Sequence, residues 1–419
     1  GGPAVSEDPA DYVATHRAEL IDRTLDLLAI DTSNPPGSTV EMADHVAASL
    51  SSLGVAVDRV VADPDKPNLV ATLPGEADRT LLFNGHFDTV PFDAAAWSRE
   101  PLGERVDDRI YGRGATDMKG SLAAMLHAVR AFVETDTRPP VDLVVAFVSD
   151  EEVGGDAGLP TLLDRGYLDA DACVIGEPTC REGRHSVTVA DRGSIWLTLA
   201  AEGVAAHGSR PALGENAIDR LYGAIQTLRE RFGSIELDLD PAVAPVIEES
   251  VAFYEPVMGA DTARELFRYP SINLGTIEGG DAINSVPQSA QAGIDIRLTA
   301  GVETATVLRD IRSCVADCPG ITITDVSWST GTAEAPDSPL VDAVASTAES
   351  VSGERVYRRS ATGGGDAKTL RNAGVPTVEF AFGTDTVHAV DEFTTVDALV
   401  DNASVYAALP AAWAATTDE

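Results

Sequence analysis

Apolar and polar positions along the chain follow two periods. At residues 12–30 and 41–53 apolar positions recur every three or four residues, which predicts helices. Asp31-Thr32-Ser33-Asn34-Pro35-Pro36-Gly37 breaks the pattern between them. Continuous apolar runs at 68–73, 80–83, 141–148 and 172–175 predict buried strands, with a helix at 118–134 between two of them. Such alternation predicts an α/β sheet with helices on both faces. The middle of the chain differs. Residues 186–201 alternate like a half-exposed strand, 216–232 are helical, 271–277 and 290–298 are strands, 302–315 are helical and 321–327 form a strand. That order, β-α-β-β-α-β, is the order of a ferredoxin-like unit. From Pro339 the α/β pattern resumes, with a helix to Val351, a strand at 375–382 and a final helix. The expected organisation is a larger α/β domain in two parts, 1–186 and 332–419, around an inserted α+β unit at 187–331. There is no internal repeat, and the acidic stretch 236–265 receives no assignment.

A length of 419 residues suits two such units, and 44% hydrophobic residues suffice for their cores, which excludes a disordered chain. No apolar run reaches the ~18–20 residues of a membrane span. No charged-then-apolar start marks a secretory signal, so the expected location is the cytoplasm. Charge changes the picture more. The chain has 30 basic and 67 acidic residues, a net −37, spread along its length. This argues against nucleic acid or an anionic membrane as a partner. Lys66, Lys119 and Lys368 are the only lysines, leaving 27 of the 30 basic residues as arginine. An acidic, lysine-poor composition resembles that of cytoplasmic proteins from salt-in haloarchaea, and self-repulsion at this charge predicts a need for screening salt. Cys173, Cys180, Cys314 and Cys318 form no CxxC pair and are expected to be reduced, mostly buried thiols, with Cys314 and Cys318 at a helix end.

The chemistry gathers after the apolar runs. Leu81-Leu82-Phe83-Asn84-Gly85-His86-Phe87-Asp88 ends a strand in His-x-Asp, either a polar strand end or a ligand with a carboxylate beside it. Tyr111-Gly112-Arg113-Gly114-Ala115-Thr116-Asp117 is a tight loop before a helix, where Asp117 is an N-cap or a carboxylate aimed into a cleft. The 141–148 run passes into Asp150-Glu151-Glu152, whose like charges are solvated or compensated by a cation. Glu177 follows the 172–175 run, and His388 follows the 375–382 run. His86, Glu151, Glu152, Glu177 and His388 thus all lie beyond the carboxyl ends of predicted strands, where open α/β sheets bind ligands. Two histidines with several carboxylates fit a pair of divalent ions, zinc first, with cobalt or manganese also allowed.

Taken in order, GHFDTVP, YGRGATDMKG, DEEVGG, GEPT, HGSRP, NSVP and the late His388 resemble the M20 dimetal amidohydrolases, over nearly the whole chain. The resemblance implies a zinc-peptidase-like α/β/α domain with a ferredoxin-like insert that serves as lid and dimer interface, hence a homodimer. It implies that Asp117 bridges two metals, that His86 and Glu177 complete one site, and that Glu152 and His388 complete the other. Glu151 would be the general base, and Asp88 would orient His86. His207 would stabilise the oxyanion from the partner subunit, whereas the residues alone favour a surface histidine in a Gly/Pro loop. Arg297 would clamp a substrate carboxylate with help from Asn284. On the residues themselves, the Gly363-Gly364-Gly365 loop before a helix is expected to be a second carboxylate contact, the rival phosphate loop lacking its GxxxxGK(S/T) pattern. The implied activity is hydrolysis of the amide bond of an N-acyl amino acid, of acetylornithine deacetylase or succinyl-diaminopimelate desuccinylase type. A dipeptidase or carboxypeptidase with the same metal core is the first alternative, and a metal-binding scaffold without turnover is the remote one. No GxSxG elbow supports a serine hydrolase.

Overall fold

The computed structural model describes residues 7–181 and 183–416. The chain forms two compact units. The larger comprises residues up to Val189, Glu334–Arg359 and the chain from Gly365; the smaller comprises Ala190–Ala333 and Ser360–Gly364. The short return at Ser360–Gly364 is a feature that the expected boundaries do not contain.

The larger unit is built on an eight-stranded sheet in the order Ala56–Val60, Asn68–Leu73, Val141–Val148, Ala77–His86, Ala172–Ile175, Thr377–Glu379, His185–Ala190, Val356–Ser360. The four central strands are mutually parallel, so their carboxyl ends share one edge. Both faces are covered. Leu82, Ala146 and Cys173 pack with Leu159, Leu162 and Leu370 on one face, and Phe83 meets Tyr406 of the Val396–Ala415 helix on the other. That explains why these strands read as continuous apolar runs and not as alternating ones. The smaller unit is a four-stranded antiparallel sheet in the order Ser271–Gly279, Ser289–Leu298, Gly193–Glu202, Ile321–Ser329. Ile195, Leu197 and Leu199 point to its core, against Leu221, Ile225 and Ile311 of the helices Ala217–Leu228 and Thr304–Ala316. No helix among the described residues is long and apolar enough to cross a membrane.

Three expectations are corrected, and one unassigned stretch gains its structure. Residues 12–30 form two helices, Pro9–Thr15 and Arg17–Leu28. The Thr15 hydroxyl donates to the Asp11 carbonyl at 2.9 Å, and the His16 ring lies 3.0 Å from the Tyr12 carbonyl, which also accepts the His16 N–H at 2.9 Å, so side chains join the backbone donors at the carbonyls of this junction. The 186–201 run is two strands in two different sheets. They are broken at Asp191, whose carboxylate accepts from the Thr332 N–H and hydroxyl at 2.9 Å each. The strand expected at 375–382 stops at Glu379, and Asn402 then bonds both the N–H and the carbonyl of Phe382, replacing the ladder with a side chain. The unassigned acidic stretch holds the helices Ala244–Met258 and Ala260–Arg268, separated by Gly259 at φ +82°. Its prolines and that glycine mask the helical period.

Candidate metal centre

Register brings the strand ends level. His86 pairs with Val148 and Asn84 with Ile175, so the residues just beyond Val148 and Ile175 emerge beside His86. His86 Nε2 lies 3.2 Å from Asp117 Oδ1, 3.0 Å from Glu177 Oε1 and 3.6 Å from Glu151 Oε2. His388 Nε2 lies 3.0 Å from Asp117 Oδ2 and 3.4 Å from Glu152 Oε2. The two oxygens of Asp117 therefore face different histidines, each with its own further carboxylate. One candidate ligand atom from each of His86, Asp117 and Glu152 lies within 4.8 Å of the others, and the same holds for His86, Glu151 and Glu177.

The orienting contacts are as specific. His86 Nδ1 is 2.7 Å from the Asp88 carbonyl and 3.5 Å from its carboxylate, which leaves Nε2 to face the cluster. The Asp88 carboxylate is buried and also accepts the backbone N–H groups of Glu151 at 3.2 Å and Glu152 at 3.0 Å. Glu392 is fully buried and accepts from the N–H groups of Gly114, Thr116 and Asp117 and from the Arg113 guanidinium at 2.9 Å. Arg113 in turn donates to the Ala389 carbonyl, next to His388. One carboxylate thus ties the Asp117 loop to the His388 loop. The sequence reading missed Glu392 and Arg113. Arg113 lies in the Tyr111–Asp117 loop already singled out, whereas no motif quoted above contains Glu392.

Electrostatics make the cluster costly without a cation. Burial pushes Glu151 up to about 8, together with the charges of Asp366, Glu152 and Asp117 and against that of His86. Burial and the Asp117 charge raise Glu177 well above the carboxylate range. Burial also works to raise Asp117, but the nearby imidazoles of His388 and His86 outweigh it and hold that carboxyl low. Hydrogen bonds to Asp117 and Glu152 push His388 up to about 10. His86 Nε2, Asp117 Oδ1 and Glu152 Oε1 are buried with no hydrogen-bond partner among the described residues. Buried polar atoms are rarely left so. Orphaned imidazole and carboxylate atoms converging on one point fit divalent cations of the zinc, cobalt or manganese kind.

The remaining expected site residues lie on other segments. In the smaller unit the Ala206–His207 strand pairs with Ser285–Val286, and the Gly208 N–H donates to the Asn284 carbonyl at 2.6 Å, so the His207 and Asn284 loops meet. The exposed His207 ring bonds the Ser209 hydroxyl at 2.7 Å. Arg297 grips Asp295 through two bonds, at 2.7 and 3.1 Å, so its fork is already engaged by an acid two residues away. Of the glycine loop, Gly363 and Gly364 belong to the smaller unit and Gly365 to the larger. The helix after it, Asp366–Asn372, is only seven residues long and opens with an acid.

A family model described as Peptidase family M20/M25/M40 matches residues 82–412. A succinyl-diaminopimelate desuccinylase of Cereibacter sphaeroides is 31% identical over 382 residues, 88% of this chain and 92% of that protein. Two solved structures show the same fold. The M20 family metallo-carboxypeptidase Sso-CP2 of Sulfolobus solfataricus is similar with TM-score 0.76 and 21% identity, covering 94% of this chain and 99% of that one. Human carnosine dipeptidase 1 has TM-score 0.71 and 21% identity, covering 99% of each. The chain belongs to peptidase family M20/M25/M40, and it is a hydrolase.

Proposed function

We propose that this hydrolase cleaves the amide bond of an N-acyl amino acid with two bound divalent cations, zinc in the first instance. The observation that carries the reading is the division of Asp117, with Oδ1 toward His86 at 3.2 Å and Oδ2 toward His388 at 3.0 Å. In this reading His86, Glu177 and Asp117 hold one cation, and Glu152, His388 and Asp117 hold the other. Such cations, when bound, lower the pKa of a water and polarise the substrate carbonyl. Glu151 accepts the proton of the attacking water and delivers it to the departing amine nitrogen, the work of a general base and then acid. Asp88 keeps the His86 ring in one orientation. His207 donates to the developing oxyanion, while Arg297, Asn284 and the 363–365 loop contact the substrate carboxylate. For Arg297 that means exchanging Asp295 for substrate.

Within this class we favour an acetylated or succinylated diamino acid as substrate, as the desuccinylase relative supports. A dipeptide or peptide substrate is the second reading, supported by the carboxypeptidase and dipeptidase structures. A cytoplasmic, salt-adapted homodimer joined through the smaller unit completes the proposal. Large apolar side chains exposed in that unit, among them Leu213, Tyr222 and Ile283, support such an interface.

The test is amine release at multimolar potassium chloride, with and without a chelator. The substrates are N-acetylornithine, N-succinyl-diaminopimelate, simple N-acyl amino acids and dipeptides. Chelator-sensitive cleavage of an acylated diamino acid is the expected result. Preference for dipeptides would move the chain to the second reading, and silence from folded, metal-loaded protein would refute the substrate class.

A further inference from the structure

We propose that Lys66 and Asn34 are positioning residues for the Glu151–Glu152 pair, acting through Asp150 and Asp88. The inference rests on the metal-centre reading above. Asp88 and Asp150 are two carboxylates at 0% and 5% exposure, joined by one amide. Asn34 Nδ2 donates to Asp88 Oδ2 at 2.9 Å and to Asp150 Oδ1 at 3.2 Å. Lys66 Nζ donates to Asp150 Oδ1 at 2.6 Å. Two buried like charges sharing one neutral donor repel, and Lys66 is the cation that offsets them.

The geometry carries this contact forward to the glutamates. Asp88 bonds the N–H groups of both Glu151 and Glu152. Asp150 precedes them at φ +64°, in the left-handed region, and its carbonyl closes the turn by accepting from Gly155 N–H at 2.9 Å. A Cβ on Gly155 would lie 1.7 Å from Asp150 Oδ2, so this carboxylate fills the inside of the turn. The direction in which the two adjacent glutamates leave the turn, one toward His86 and one toward His388, therefore depends on where Asp150 is held. The ammonium of Lys66, with 19% of its side chain exposed, makes one short contact there, in a chain that otherwise uses arginine almost throughout.

The experiment uses the full chain and its Lys66→Met and Lys66→Arg variants, stripped of metal and titrated with cobalt(II). Visible absorption of the bound ion is read beside thermal melting, kcat and KM. The expectation for Lys66→Met is a cooperative melt, cobalt bound about tenfold or more weakly with an altered spectrum, and kcat reduced with KM unchanged. Lys66→Arg should regain part of both losses. Wild-type cobalt affinity, spectrum and kcat in Lys66→Met would overturn the proposal. If Lys66→Met does not fold, Asn34→Ser decides by the same readouts, with weakened cobalt binding in support and wild-type behaviour against. A wild-type chain that binds no cobalt would overturn the metal-centre reading and this inference with it. A wild type that binds two while Lys66→Met matches it overturns the inference alone.

Discussion

Glu392 contributes no ligand atom to the proposed centre, yet it holds the Asp117 loop and the Arg113 guanidinium from a fully buried position. Removing one partner of a buried ion pair leaves the other charge uncompensated, at a cost of about 3–5 kcal/mol. Glu392→Ala should lower the unfolding free energy by that amount in urea titrations, and a loss below about 1 kcal/mol would show the pair to be dispensable. His127 gives a pH dependence. It is fully buried, neither ring nitrogen has a hydrogen-bond partner among the described residues, and burial pushes it down to about 4. Its folded-state pKa lies below the unfolded value near 6.5, so the unfolded chain takes up the proton first. Stability is therefore unaffected above pH 6.5 or so and falls as the pH drops from there toward 4. His127→Leu should flatten that part of the urea midpoint against pH profile, and an unchanged slope would contradict it. The legibility of residues follows from the range of their contacts. His86, Glu151, Glu152 and Glu177 are adjacent to apolar runs, so their position at the sheet edge is visible in the sequence. Glu392 and Arg113 stand 279 positions apart, and Lys66 and Asp150 stand 84 apart. Nothing local marks such pairs.

At the scale of elements, the turn after the Val141–Val148 strand is the most constrained. Gly158 begins the helix Leu159–Asp164, and a Cβ there would lie 1.9 Å from the Ser149 carbonyl oxygen, a backbone atom that cannot swing aside. Gly158→Ala should move the Ser149–Glu152 backbone and destabilise the fold by about 1–3 kcal/mol. Calorimetry checks the stability, and a melting point equal to wild type would contradict the predicted clash. The strands at 68–73, 141–148 and 172–175 were readable residue for residue because burial of most positions on both faces gives a largely apolar run. The break at Asp191 was not, because both strands continue one alternating pattern and the contacts at the break, Asp191 with Thr332 and Arg192 with Thr362, are made to residues distant in sequence. Gly259 and the prolines around the Ala244–Met258 helix hid it in the same way, since those residues signal loops when read locally.

At the scale of the molecule, a net charge of −37 makes self-repulsion an unfavourable electrostatic term at low ionic strength. At molar salt the screening length shrinks to about 3 Å. The melting temperature should rise by at least roughly 5 °C between 0.1 and 2 M potassium chloride, and a flat profile would contradict salt adaptation. The inserted unit was visible in the sequence as a change of period in mid-chain. The return of Ser360–Gly364 to that unit was not, because five residues carry no periodic signal. In the proposed reaction one chain holds two cations through Asp117 and leaves Glu151 free to move protons. Metal content and turnover of Glu151→Ala, measured on one preparation beside wild type, test it most directly. The expected result is two metal ions per chain in both proteins, with kcat of the variant lower by about 10²–10⁴-fold. Full turnover in Glu151→Ala, or loss of bound metal together with activity, would contradict it.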